Sequence, residues 1–201
     1  MSTPLHHGGP PVSAGGPSLL FALAVSIGLP ITLAYKTGPP AGHTGGFGEP
    51  TCHTCHSDDT PNPAGGSVEV RGFPESYVPG QEYQIHVRVR GEDLGRAGFQ
   101  LAVRFADGQA VGTNAGSLEA ADARTSVIAA EKTGVQYAQH LIAGVTPLWT
   151  DSTQWTLRWT APPSGAPVVL HIAANASNND ESEYGDRIYH TALTSGAAAN
   201  R

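Results

Sequence analysis

The chain has 201 residues, enough for one domain with a substantial core and terminal segments. Gly and Pro are frequent, at 25 and 16 residues, and charged residues make up only 14%, a composition that excludes a helical bundle or coiled coil. The 17 acidic and 11 basic residues give a net charge of −6, which excludes the electrostatic footprint of a nucleic-acid-binding protein.

The N-terminal part of the sequence differs from the rest in having no charged side chain before Lys36. Residues 1–17 are rich in Gly, Pro and Ser and are predicted to be disordered, because they offer almost nothing apolar to bury. Ser18–Tyr35 is apolar over about the length that spans a bilayer as a helix. It is predicted to be a retained transmembrane anchor or a cleaved signal peptide, and the lack of a positively charged leader slightly favours the anchor.

Residues 36–66 form a second Gly/Pro-rich segment, which is predicted to be a linker carrying a functional loop. Both cysteines of the chain lie in this loop, in the pentapeptide Cys52-His53-Thr54-Cys55-His56. The motif is therefore predicted to lie in a loop or short turn, outside any regular element.

Residues 67–194 are predicted to form an all-β sandwich, because short runs of alternating apolar and polar residues are separated by turn signals. The clearest strand is Glu82–Arg90, and Thr153–Thr160 repeats its alternation with two tryptophans on one face. Ser117–Ala123 is predicted to be a helical turn, and residues 195–201 a C-terminal tail. The other predicted strands are Ser67–Arg71, Gly98–Phe105, Thr125–Ala130, Val135–Ile142, Pro167–Ala174 and Arg187–Leu193.

The pentapeptide matches the Cys-x-x-Cys-His pattern of covalent haem attachment, in which two thiols bond the vinyl groups of one porphyrin and the histidine ligates iron. The sequence therefore predicts one covalent haem c, held by Cys52 and Cys55 and ligated by His56. Three alternatives remain open at this stage. They are a thioredoxin-like redox pair, a disulfide without haem, and a structural zinc site completed by His43, His53 or His56.

The sixth iron ligand is predicted by elimination. Met1 is the only methionine and precedes the apolar segment, so the iron is expected to be bis-histidine or five-coordinate. His140 is favoured because it lies next to Leu141 and Ile142 in a segment of irregular alternation. The predicted cofactor-binding residues are thus Cys52, Cys55, His56 and His140, with His56 and His140 as metal ligands. The other candidates for the sixth ligand are His43, His86, His171 and His190.

Five segments of the sequence resemble bacterial Reeler-like proteins, also called choice-of-anchor V domains. The segments are Thr44–Ser57, Tyr77–Gly80, Gly98–Leu101, Trp155–Pro162 and Ala173–Ala176. The resemblance covers about residues 44–193 and implies an immunoglobulin-like β-sandwich on the outer side of a membrane. It also implies a histidine after a tyrosine at the place of His140. Relatives often end in a C-terminal anchoring segment, which this sequence lacks, so Ser18–Tyr35 is expected to provide any membrane attachment.

These features predict a monohaem c-type cytochrome tethered on the periplasmic or extracytoplasmic side of a membrane. It would carry single electrons to or from a membrane redox protein complex, as a carrier or accessory subunit and not an enzyme, without a small-molecule substrate. The alternative is a haem-free structural or interaction subunit of an electron-transfer or photosynthetic membrane complex, docking through its helix and sandwich. A haem enzyme with an open sixth position is a third hypothesis.

Overall fold

A computed structural model describes Met1, Gly9 and residues 38–198. The chain divides into two units between Leu33 and Ala34, and the β structure belongs to the second. The predicted anchor or signal, Ser18–Tyr35, lies outside the described residues, and both interpretations of it stay predictions. Within the residues that are described, no helix is long and apolar enough to cross a bilayer.

The described region contains ten β-strands and two short 3-10 helices, Cys52–Thr54 and Ile142–Gly144. The long strands alternate apolar and polar residues, which lets each strand present one face to a common core. The strands are β1 Gly66–Arg71, β2 Ser76–Tyr77, β3 Glu82–Gly91, β4 Arg96–Phe105, β5 Ser117–Ala120, β6 Thr125–Ala129, β7 Gln136–His140, β8 Ser152–Thr160, β9 Val168–Ser177 and β10 Arg187–Ala197.

The strands form two sheets that pack face to face. One sheet has four strands in the order β1-β3-β8-β5, and the other has six in the order β2-β10-β9-β4-β7-β6. Neighbouring strands are antiparallel except for the short parallel pairing of β2 with β10. The prediction of an all-β sandwich is therefore confirmed.

Two tryptophans of β8 occupy the centre of the core. The ring of Trp159 lies 5.1–5.8 Å from the rings of Phe73, Tyr77 and Tyr83, and its indole N–H donates a hydrogen bond to the Ala115 carbonyl at 3.0 Å. Trp155 is buried in the same way, with its own indole N–H bonded to a backbone carbonyl at 3.0 Å. Each large ring is thus both packed and satisfied in its hydrogen bonding.

The predicted helical turn at Ser117–Ala123 is wrong, because Ser117–Ala120 forms strand β5. Leu118 pairs with Trp159 across the sheet, and its N–H donates to the side chain of Gln136 at 2.9 Å. Burial of Leu118 against the core and this pairing outweigh the local preference of a short run rich in Ala and Glu.

Replacement of Trp159 by Ala is expected to destabilise the fold by about 3–5 kcal/mol, because it removes a fully buried ring from three aromatic contacts. Urea denaturation followed by circular dichroism measures this loss. The matched control is Val111→Ala, whose side chain is half exposed, and it should change the free energy of unfolding by less than about 0.5 kcal/mol. Equal effects of the two substitutions would contradict this description of the core.

Candidate functional site

The outer face of the six-stranded sheet is covered by a segment that we call the strap, residues 38–65. Its contacts begin on β7, where Gly38 lies against Gln139, and end on β10, where the N–H of Asn62 donates to the Ile188 carbonyl at 2.7 Å. Strand β4 lies beneath it and is buried on both faces from Ala97 to Arg104. The sheet face under the strap is therefore an interior surface, although many of its side chains are polar.

Gln100 on β4 fastens the first part of the strap. Its side-chain oxygen accepts the N–H of His43 at 2.7 Å, and its side-chain nitrogen donates to the Pro40 carbonyl at 3.0 Å. The same nitrogen donates to the side-chain oxygen of Gln139 at 3.1 Å. Gln100 is fully buried, and these bonds satisfy an amide that would otherwise be costly to bury.

An ion pair between Arg104 and Glu49 fastens the middle of the strap. Arg104 is only 3% exposed, and its Nη2 lies 2.6 Å from Glu49 Oε2. The hydroxyls of Thr44 and Tyr137 both donate to the Glu49 carboxylate. Burial raises the pKa of Glu49, but the hydrogen bonds from Thr44, Tyr137 and Arg104 outweigh it and hold the pKa below its ordinary value of 4.5.

The ring of Phe47 completes this contact from the strap side. It lies 5.0 Å from the Arg104 guanidinium carbon and 5.4 Å, edge to face, from the ring of His171. The neighbouring Gly46 is pressed against the same imidazole, so that a Cβ there would lie 2.4 Å from His171 Cγ. Burial and the charge of Arg104 lower the pKa of His171.

The Cys/His motif forms a closed turn on this face. Thr51 caps the 3-10 helix Cys52–Thr54 by accepting the His53 N–H at 3.2 Å. The N–H groups of Cys55 and His56 both donate to the Cys52 carbonyl, at 3.2 and 3.1 Å. Cys52 begins this helix and Cys55 caps its C-terminal end, so the two cysteines are one helical turn apart.

The two free thiols of this turn differ in their surroundings. Cys55 is exposed, whereas Cys52 is half-buried. Burial around the sulfur raises the pKa of the Cys52 thiol to about 12. Cys52 is therefore protonated at neutral pH, and Cys55 is the thiol that solvent and solutes reach.

His56 joins the turn to the sheet. Its Nδ1 lies 2.6 Å from Asp186 Oδ2, with the histidine side chain 35% exposed and the aspartate 1% exposed. Asn175 Nδ2 donates to the same aspartate oxygen at 2.9 Å. The buried carboxylate thus fixes the orientation of the imidazole, with the outer edge of the ring towards solvent.

His140 lies on the same outer face, at the end of β7. Its Nδ1 accepts the N–H of Phe99 at 3.0 Å, and burial lowers its pKa. The ring rests on Gly98, where a Cβ would come within 2.5 Å of the imidazole. Gly98 is paired with Asn175 in the sheet register, and Asn175 in turn contacts His56. The fold therefore brings all four predicted site residues to one sheet face.

The prediction of a covalent haem c is contradicted, although the Cys-x-x-Cys-His spacing is present. Within the described residues, no group of three or more His, Cys, Asp or Glu side chains is arranged to hold a metal ion. Cys52 is half-buried and Cys55 is exposed. The cytochrome, electron-transport and iron-binding interpretations that depended on the haem are withdrawn, and the four residues stay candidates for another chemistry.

Sequence reasoning missed the partners that hold this site, namely Glu49, Arg104, Asn175 and Asp186. Asp186 ends a run of acidic residues that begins at Asp180, and only Asp186 of that run is buried. Arg104 gave no signal of its burial, because it alternates with core residues of β4 as a solvent-facing side chain does.

No family model matches the chain, and no curated protein matches it. Among solved structures, it is similar to the Reelin-N domain of F-spondin, with 17% identity and a TM-score of 0.45 over 73% of this chain and 97% of that chain. It is also similar to a human F-spondin reeler domain, with 19% identity and a TM-score of 0.44 over 69% and 92%. A cohesin module from a Clostridium perfringens ATCC13124 family 33 glycoside hydrolase has 10% identity and a TM-score of 0.44 over 68% and 98%.

Replacement of Glu49 by Gln is expected to lower the free energy of unfolding at pH 7 by about 3 kcal/mol, because it leaves the buried Arg104 charge uncompensated. A depressed carboxyl pKa contributes stability that is present above its ordinary value of 4.5 and is lost as pH falls below it. Urea midpoints at pH 7, 5 and 3 should therefore fall more steeply in the wild type than in the variant.

The control for this experiment is Glu119→Gln, which removes an exposed ion pair with Arg158. It should leave both the stability at pH 7 and the pH dependence unchanged, because exposed pairs contribute little. Identical pH slopes for the wild type and Glu49→Gln would contradict the role given to the buried pair.

Proposed function

We propose that the chain is a haem-free interaction subunit that docks on a partner protein through one loop of its sandwich. The loop, which we call the docking loop, comprises residues 141–151 between β7 and β8. The observation that carries the proposal is that Ile142, Leu148 and Trp149 in this loop are each about half exposed. Clustered apolar side chains on a surface are typical of sites that bind another molecule.

Trp149 is the central side chain of this surface. The other two tryptophans are buried, with their indole N–H groups hydrogen-bonded. Trp149 makes no such bond within the described residues, and the Arg88 guanidinium carbon lies 5.7 Å from its ring centroid. A tryptophan paired with an arginine at the surface is the composition found at the energetic centre of protein interfaces.

The charges beside Trp149 favour a partner that carries carboxylates. Arg88 and Arg90 lie on the outer face of β3, and neither makes an ion pair within the described residues. They line a depression of about 390 Å³ with Glu92, Thr150, Asp151 and Ser152. Glu92 lies 3.6 Å from Arg187, so the arginines outnumber the unpaired carboxylates there.

This mixture of groups argues for a protein as the occupant of the surface. A lipid surface would bury the apolar tip but would offer no partner to the exposed Asp151 carboxylate. A protein surface can place an apolar pocket over Trp149 and a carboxylate against Arg88 or Arg90, as complementary interfaces do. The partner class is therefore a protein with an apolar pocket for Trp149 and a carboxylate placed against Arg88 or Arg90.

The proposal includes a location at the extracytoplasmic side of a membrane, with Ser18–Tyr35 as the attachment. The apolar length of that segment and the sequence resemblance to choice-of-anchor domains support this location. The partner would then belong to a membrane protein complex, and the role of this chain in it would be accessory and not catalytic.

Replacement of Trp149 by Ala in the full chain is expected to release it from that complex, because the aromatic anchor of the interface is lost. Membranes of cells producing each variant are solubilised in mild detergent and separated by size. The wild type should elute well above the mass of the free chain, and the variant should move to the free fraction with at least a tenfold loss of the assembled form.

The matched control is Val111→Ala, which removes an equally exposed apolar side chain outside the docking loop and should elute with the wild type. Retention of Trp149→Ala in the large assembly would overturn the proposal. Two further results would also overturn it: a Trp149-dependent dimer of the purified chain alone, or Trp149-dependent binding to phosphatidylglycerol vesicles without any protein partner.

A further inference from the structure

We propose that Cys52 and Cys55 are a reversible dithiol–disulfide pair, in which Cys55 reacts first with an external disulfide and Cys52 then closes the ring. The docking proposal makes no use of these residues, and the two proposals stand or fall separately. Three features of the turn support this proposal: its backbone is closed by hydrogen bonds, its two thiols differ in exposure, and contacts on both sides hold it in place.

The backbone of the turn already holds the two cysteines at bridging distance. The Cys55 N–H donates to the Cys52 carbonyl at 3.2 Å, and a turn closed by such a bond keeps its first and fourth Cα atoms within about 7 Å. Disulfides join Cα atoms that are about 4.4–6.8 Å apart. Ring closure therefore requires rotation of side chains and little movement of the main chain.

Exposure sets the order of the two thiols. Cys55 is exposed and Cys52 is half-buried, so a solute disulfide meets the sulfur of Cys55. Burial raises the pKa of the Cys52 thiol to about 12, which makes it a poor first nucleophile because the thiolate is the attacking species. Cys52 is well placed for the second step, in which the target sulfur is already on its neighbour.

Contacts on both sides of the turn hold it in place without using either cysteine side chain. On one side, Thr51 Oγ1 accepts the His53 N–H at 3.2 Å. On the other side, His56 is tied to the buried Asp186 at 2.6 Å. Folding has already restricted the backbone between the two cysteines, so forming the disulfide costs little additional chain entropy.

The reaction balances with a small-molecule disulfide as oxidant. The Cys55 thiolate attacks one sulfur of the external disulfide, which forms a mixed disulfide and releases one thiol. Cys52 then loses its proton to solvent and attacks the Cys55 sulfur, which releases the second thiol. The two cysteines lose two electrons and two protons in total, and the external disulfide is reduced to two thiols.

The order of reaction is tested on the purified full chain with glutathione disulfide, followed by acid quenching and intact mass. The wild type is expected to lose the mass of two hydrogens and to retain no glutathione. Cys52→Ser should stop at the mixed disulfide and retain one glutathione. Cys55→Ser should acquire glutathione at least tenfold more slowly than Cys52→Ser, because its remaining thiol is half-buried and has the raised pKa.

The control is the same reaction in concentrated urea, where the two single variants should react at equal rates because the fold no longer shields Cys52. Circular dichroism of each variant checks that the native sandwich is retained. Stable glutathione on the folded wild type, an unreactive wild type, or equal rates for the two folded variants would each overturn the proposal.

Discussion

The guanidinium of Arg104 lies on a sheet face that is closed to water, and the fold depends on bringing a carboxylate to it. An unpaired charge in such a place would cost several kcal/mol. Glu49 supplies the carboxylate at 2.6 Å, from a segment with almost no regular secondary structure. The strap buries Arg104 and at the same time supplies the carboxylate that compensates its charge, so the covered sheet face and the ion pair depend on each other.

A second polar contact attaches the strap further along the chain, next to the Cys/His turn. There the sheet side supplies the buried carboxylate, Asp186, and the strap supplies its partner, His56, at 2.6 Å. The Cys/His turn lies between these two attachments. Residues that would be free to move in an isolated Gly/Pro-rich loop are consequently held in one arrangement, with Cys55 exposed and Cys52 half-buried.

The strands could be predicted from the sequence because a strand with one buried and one exposed face alternates apolar and polar residues. The strand predicted at Glu82–Arg90, for example, corresponds to β3. The covering of the outer face could not be predicted, because Gln100 and Arg104 alternate with core residues as solvent-facing side chains do. Their burial arises from a strap more than fifty positions away along the chain.

The Cys/His motif identified Cys52, Cys55 and His56 from the sequence. Its local spacing cannot predict whether groups distant in the chain complete a metal site. Asp186 and Asn175 are set beside His56 by the sheet register, which the spacing does not encode.

The three tryptophans show how structural and interaction roles separate in this chain. Trp155 and Trp159 are needed by the core, since their rings fill it and their N–H groups are bonded there. The side chain of Trp149 is not needed to close the loop. The loop is closed by the backbone N–H and carbonyl of Trp149, which pair with Ser152 at 3.1 and 3.3 Å. Any residue except proline could make those two bonds. Leaving a large ring half exposed forfeits about 25 cal/mol for each Å² of apolar surface that burial would remove from water. A partner surface would recover this energy, whereas the sandwich itself does not, and this difference supports a role for Trp149 in docking.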